Sequence, residues 1–248
     1  MSAVQHEEAA RMISQSSLPR PSACSKYHVD SDGNKLYDQI FNWVLPFHEP
    51  GLAPVGDESG AYHIHLDVTP AYSARFDRTF GYYCGLASVV DGVLWYHIAP
   101  DGGKPYEDSW NWCGNFQQDR CPVRTIGGEY LHIRPNGSIL PGGPYSYVGD
   151  FREGYAVVRS VDGLCRHIEL EGAFVHESSF LDLDVYHKGF ARARDERGWF
   201  YINKDGEDVS KARRYSELEP FYNGQALART LSGEYVIIDE HGAVLVSF

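Results

Sequence analysis

Tyr145-Ser-Tyr-Val-Gly-Asp-Phe151 leads through Arg-Glu-Gly154 into Tyr-Ala-Val-Val-Arg159. Ser-Val-Asp-Gly163 follows, then Leu-Cys-Arg-His-Ile-Glu169, Glu171-Gly172 and Ala-Phe-Val-His176. The short apolar and aromatic runs read as strands. The Asp-Gly step supplies the positive φ that a hairpin turn requires. Four antiparallel strands in about 35 residues make a sheet too small to bury both of its faces alone.

The same grammar recurs along the chain. One column reads Val29, Ile64, Ile98, Ile133, Ile168, Ile202, Ile238, and a glycine stands four residues after each member except Ile64. A second column reads Phe41, Phe76, Trp110, Tyr145, Phe180, Tyr215. Six residues on comes another aromatic, at Phe47, Tyr82, Phe116, Phe151, Tyr186 and Phe221. A Gly-x-Ala step follows in most copies, as at Gly154-Tyr-Ala156 and Gly189-Phe-Ala191. A fixed period of this size means a solenoid, a propeller or an array. The aromatic and Ile columns are expected to form the core between stacked sheets, and the glycines the turns.

Gly198-Trp-Phe-Tyr-Ile-Asn-Lys-Asp-Gly206, after Gly189-Phe-Ala191, resembles the bacterial WG repeat family. In that family a Gly-x-Ala strand leads to a Trp-Gly step and an Ile-Asp turn closed by Gly. The resemblance runs over most of the chain, but no copy keeps the Trp-Gly dipeptide: Phe200 follows Trp199 and Tyr96 follows Trp95. It implies a repeat scaffold, often carried beside enzymatic domains such as methyltransferases, and it carries over no catalytic residue.

The expected fold is all-β: a propeller of six four-stranded blades with a spare N-terminal hairpin starting at Tyr27. A seven-position ring with a half-blade and an open array are the alternatives. Closing a ring protects edge strands, which favours the ring. The repeat domain spans residues 27–248. Residues 1–26 read as a helix over 3–16 followed by a linker over 17–25, where Pro19 and Pro21 lie.

The net charge of −12 opposes nucleic-acid backbones and anionic membrane surfaces. No apolar run reaches the roughly 18 residues that read as a membrane-spanning helix, and the charged start lacks a signal peptide's apolar stretch. The five cysteines are odd in number and follow no CxxC spacing, so they read as reduced thiols in a cytoplasmic protein. No nucleotide loop, nucleophile elbow or zincin motif appears, and no cofactor is expected.

Three features are candidates for chemistry. His28, His63, His97, His132 and His167 share one repeat position, just before the Ile column. They invite a metal reading, but Tyr201 and Ile237 take the same slot, so a hydrogen-bonding core filler is expected and no metal. Acids collect on the first strands of the later copies, at Asp150, Asp182, Asp184, Glu217 and Glu219. Facing a channel, they would suit a cation or an amine; the alternative is solvated strand faces, and because Asp182 and Asp184 share parity with the aromatic columns, either the strand bends there or those two carboxylates are paired internally. Arg152, His187, Lys188 and Arg214 interrupt the turns nearby and could grip an anionic ligand beside the aromatics, although plain solvated turns are the commoner case. The expected function is a non-catalytic binding or scaffolding module that recruits a protein or a small polar ligand. Its expected site is Asp150, Arg152, Asp184, His187, Lys188 and Glu219. The alternative is an enzyme with a carboxylate-lined site in the channel.

Overall fold

The computed structural model describes residues 19–248. The helix expected over 3–16 lies outside them. Every regular element among the described residues is a β-strand. The chain divides into two compact units, residues 1–128 with 134–138 and residues 129–133 with 139–248.

In the first unit Arg20–Pro21 pairs antiparallel with His28–Val29, so part of the expected linker is a strand. The first copy follows as Trp43–Val44, Ala53–Asp57 and Gly60–Ile64, and the second as Arg78–Tyr83, Leu86–Asp91 and Leu94–Ile98. Trp112–Cys113 pairs with Cys121–Arg124. In the second unit Tyr147–Val148, Tyr155–Arg159 and Cys165–Glu169 make the fourth copy. The last two copies form one continuous seven-stranded sheet. Its strands, in order, are Asp182–Leu183, Ala191–Asp195, Gly198–Ile202, Tyr215–Leu218, Gln225–Thr230, Tyr235–Asp239 and Val244–Ser247.

Four full strands per copy are not what forms. In most copies the expected fourth strand is a single bridge, as at Ile64↔Pro70, Ile133↔Ile139, Ile168↔Phe174 and Ile202↔Asp208. The reason lies in the outer edge of the third strand. Its far end already pairs with the leading aromatic of the next copy, as at Ala61↔Phe76, Tyr130↔Tyr145 and Cys165↔Phe180. One short edge thus serves two partners, and Pro70 has no N–H with which to extend its bridge. Successive copies are joined by backbone hydrogen bonds rather than standing as separate sheets. Gly198 shows how close that join is: a Cβ there would come within 2.6 Å of the Tyr215 carbonyl oxygen, at a φ of +141°.

The columns are the core. All six leading aromatics and all six of the second aromatic column are buried, as is the whole Ile column. One apolar cluster holds Phe180, Tyr186, Ala191, Phe200 and Ile202 with Val157 and Cys165 of the preceding copy. The clusters therefore form between neighbouring copies, where burial of apolar area rewards stacking.

The histidine column pins copy to copy. Nε2 of His28, His63, His132 and His167 lies 2.8 Å from the carbonyl oxygen 17 residues on, at Leu45, Phe80, Gly149 and Asp184; for His97 and Gly114 the distance is 3.2 Å. A nitrogen facing a carbonyl must carry the hydrogen, so Nδ1 is the acceptor. In the first copies a tyrosine hydroxyl nine residues on donates to it: Tyr37 and Tyr106 at 2.5 Å, and Tyr72 at His63. Tyr201, in the same slot, donates its hydroxyl to the Glu219 carbonyl. The Nε2 of each histidine is thus spent within its own pair of copies, while Nδ1 of His167 is buried without a partner.

Candidate functional site

The last three copies carry the candidate site, and it begins at their hairpins. The first and second strands are joined by tight turns at 152–155, 187–190 and 222–225, each closed by a reciprocal pair of backbone hydrogen bonds. The second turn residue has positive φ in each: Glu153 at 52°, Lys188 at 51° and Asn223 at 50°, with glycine next. That is the left-handed pair a two-residue hairpin needs. It holds the side chains of Arg152 and His187 at equivalent places, 35 residues apart.

A cleft of about 380 Å³ opens beside them. Arg152, Asp184 and His187 line it on the polar side, and Val185, Pro220 and Phe221 on the apolar side. Phe190 and Tyr201 complete an aromatic wall: Phe221 meets Phe190 edge-on at 5.4 Å between centroids and stacks on Tyr201 at 3.9 Å. A neighbouring cleft of about 280 Å³ shares Arg152, Asp184 and Val185 and adds Tyr147, Asp150 and Val157. Asp150 makes no ion pair among the described residues, and loss of water in this cleft pushes its carboxyl above the usual range.

Of the other first-strand acids, Asp182, Asp184 and Glu217 are committed to arginines, and Glu219 makes no ion pair among the described residues. Asp184 pairs with Arg192, whose Nη1 also donates to the Leu218 carbonyl at 2.5 Å. Asp182 sits opposite Arg194 in the ladder and meets Arg159 at 3.5 Å and Arg194 at 3.9 Å. Glu217 pairs with Arg229 at 3.1 Å. The expected negative wall is therefore a set of cross-strand ion pairs, which relieves the like-charge repulsion that free carboxylates would feel. Arg214 is a second departure. It is no exposed turn cation: its side chain is 8% exposed, lies 3.7 Å from the Phe200 ring centroid, and bonds Asp195 at 2.8 Å and Asp208 at 2.7 Å.

Of the six residues expected at the site, the structure brings Asp150, Arg152, Asp184 and His187 to the two adjoining clefts. Lys188 is exposed at the tip of its turn, and Glu219 is exposed and lines neither cleft. Arg192, Phe190, Tyr201 and Phe221 are the additions. In the sequence Phe221 stands both in a core column and as an aromatic beside the mixed charges of the later copies, whereas Arg192 is only the residue after a Gly-x-Ala step.

Replacing Arg214 with Met should destabilise the fold by roughly 2 kcal/mol, because two carboxylates would then face each other beside a buried ring. Urea denaturation measures this. An unchanged midpoint would mean that the carboxylates reach water without the arginine.

No curated protein matches the chain. Among solved structures it is similar to BamB from Moraxella catarrhalis, at 10% identity over 95% of this chain and 86% of that one, with a TM-score of 0.44. The computationally designed Ika8 protein matches at 10% identity, over 95% and 85%, with a TM-score of 0.44. The Neurospora crassa Pan2 WD40 domain matches at 13%, over 76% and 72%, with a TM-score of 0.33. The model of the WG containing repeat matches residues 145–165 and 199–233, which include the hairpins at 152–155 and 222–225. These two stretches resemble the WG containing repeat and include Arg152, Tyr201 and Phe221 of the clefts, while Asp184, His187 and Arg192 lie between them.

Proposed function

We propose that the protein is a non-catalytic binding module, and that its ligand or protein partner engages the clefts of the fourth to sixth copies. The observation that carries this reading is the arrangement around Arg152. This guanidinium lines both clefts and has no carboxylate partner among the described residues, while Phe190, Tyr201 and Phe221 line one of the two clefts with it. A concave, mostly apolar site with a few unspent polar groups is the common form of a ligand pocket. Asp150, Arg152 and His187 are the unspent groups. Asp184 is held in place by Arg192, and Lys188 and Glu219 flank the site in sequence.

A channel enzyme using Asp150, Asp184 or Glu219 with His187 is the weaker reading, because Asp184 is paired with Arg192, which makes it a poor general base, and Glu219 lines neither cleft; that leaves Asp150 as its one unpaired cleft carboxylate. A companion enzyme, such as a methyltransferase, belongs among the partners to be tested. Ring closure into a propeller also belongs to this proposal. It rests on the repeat count, and small-angle scattering of the full chain tests it. So does a cytoplasmic setting, with which the five free thiols accord.

A thermal-shift screen against nucleotides, sugars, acids and amines tests the binding reading. A ligand at a hundred times its Kd stabilises the fold by about 2.7 kcal/mol. The shift should be lost in Arg152→Gln and kept in Asp57→Asn. A ligand whose shift survives Arg152→Gln does not use these clefts.

A further inference from the structure

The residue directly after the second aromatic column forms a column of its own: His48, Tyr83, Gln117, Arg152, His187 and Tyr222. The scaffold asks little of it. Its backbone closes the hairpin, as when Arg152 N donates to Tyr155 O and His187 N donates to Phe190 O, both at 2.8 Å, and any residue but proline supplies that bond. Yet all six positions carry a hydrogen-bonding side chain, and the chemistry changes from copy to copy while the aromatic column just before it stays fixed. Consecutive members also reach one another. His48 and Tyr83 have ring centroids 5.0 Å apart, and Arg152 and His187 line one cleft.

At the Arg152–His187 step the donors have nothing to donate to. Arg159, Arg192, Arg194, Arg214 and Arg229 of the same unit each face a carboxylate; Arg152 does not. Nδ1 of His187 is buried and has no hydrogen-bond partner. Exposed Lys188 follows His187 in the turn, while Asp184, already paired with Arg192, and Asp150 are the carboxylates that line the two clefts. This concentration of unspent donors stands in a chain of net charge −12, so it is local and runs against the overall field. Phe190, Phe221 and Val185 line the same cleft and supply its apolar surface.

We propose that the Arg152–His187 step binds a carboxylate attached to an apolar body of about aromatic size. Arg152 takes the carboxylate in its planar fork, and His187 donates to the same group. The body lies on Phe190 and Phe221, where aromatic contact adds to the apolar burial. The free acid and an acidic or C-terminal group of a peptide share this chemistry. The proposal rests on the reading that this cleft is the ligand site.

The test uses the full chain with three probes: 3-phenylpropanoate, the isosteric 3-phenylpropylammonium, and inorganic phosphate. Backbone amide NMR locates binding and titration calorimetry measures it. 3-Phenylpropanoate should shift the amides of Arg152, His187 and Phe221. Arg152→Gln should weaken it about tenfold or more, the loss expected for a charge-assisted pair. His187→Gln, which keeps a donor, should weaken it less than His187→Ala. Arg197→Gln, which removes an equal charge on the far side of a hairpin turn, should leave affinity unchanged. A peptide ending in phenylalanine, compared with its amidated form, separates the peptide source from the free acid. Equal or tighter binding of the ammonium probe in the cleft overturns the carboxylate assignment but leaves the cleft as the site. Phosphate binding as tightly as the acid removes the role given to the apolar wall and overturns the assignment. No shift in the cleft with any probe overturns both the assignment and the site.

Discussion

Lowering the pH from 7.5 to 5 should cost the fold about 6 kcal/mol, most of the stability of an ordinary domain. The source is the histidine column. Burial pushes His63, His97 and His167 down to about 4, because their sites give an imidazolium neither water nor a counter-charge. His28 is lowered for the same reason. The sign follows from proton uptake. Near pH 5 an unfolded histidine is protonated and a folded one is not, so the unfolded state binds more protons and stability falls as pH falls. The loss begins near the unfolded value of 6.5 and is complete near 4. Each of the three contributes about 2 kcal/mol by pH 5 and about 3 by pH 4. Above pH 7.5 the column contributes no pH dependence. Urea midpoints at pH 7.5, 6 and 5 check this. His167→Gln keeps a donor toward the Asp184 carbonyl and removes the titration, so the variant should lose stability at pH 7.5 and narrow the gap at pH 5. Equal midpoints at pH 7.5 and 5, or a variant with the same slope as the parent, would mean that these rings protonate in place.

Much of this was legible in the letters. A strict period exposes every column that packing holds constant, so the aromatic and Ile columns identified the core directly. The histidines were legible as fillers because Tyr201 shares their slot and, as it turns out, their carbonyl bond. What escaped needed register or edges. The parity of Asp182 and Asp184 already allowed internal pairing, but not its partners: Asp182 and Arg194 are 12 residues apart in sequence and directly opposite only across the ladder. The missing fourth strand depends on which edge of the third strand the next copy claims, and no single strand's pattern states that. Arg214 was judged by its place before a strand, while its partners Asp195 and Asp208 lie 19 and 6 residues away. The polar column ending in Arg152, His187 and Tyr222 was in plain view beside the second aromatic column. It was missed because periodic reading rewards positions that stay the same, and recognition lives in those that vary.

Tyr186→Ala should destabilise the fold by about 4 kcal/mol, near the top of the range for truncating a buried aromatic. Tyr186 is fully buried in the cluster between the fourth and fifth copies. Its ring stacks on His167 at 4.0 Å and meets Tyr155 edge-on at 5.1 Å, so truncation empties a space bounded by two other rings. Those rings cannot collapse into the gap freely. His167 is tied to the Asp184 carbonyl, and Tyr155 belongs to a paired strand. A cavity whose walls cannot relax keeps its full cost. Tyr186→Phe separates packing from hydrogen bonding. It removes only the hydroxyl, which donates to the Asn203 carbonyl at 3.2 Å, and should cost about 1 kcal/mol. Because His187 follows directly, the truncated variant should also weaken any ligand of the cleft, while the Phe variant should not. Urea denaturation of the three proteins at pH 7.5 gives both differences. A loss below about 1 kcal/mol for Tyr186→Ala would show that the contact between these copies is not what holds them together.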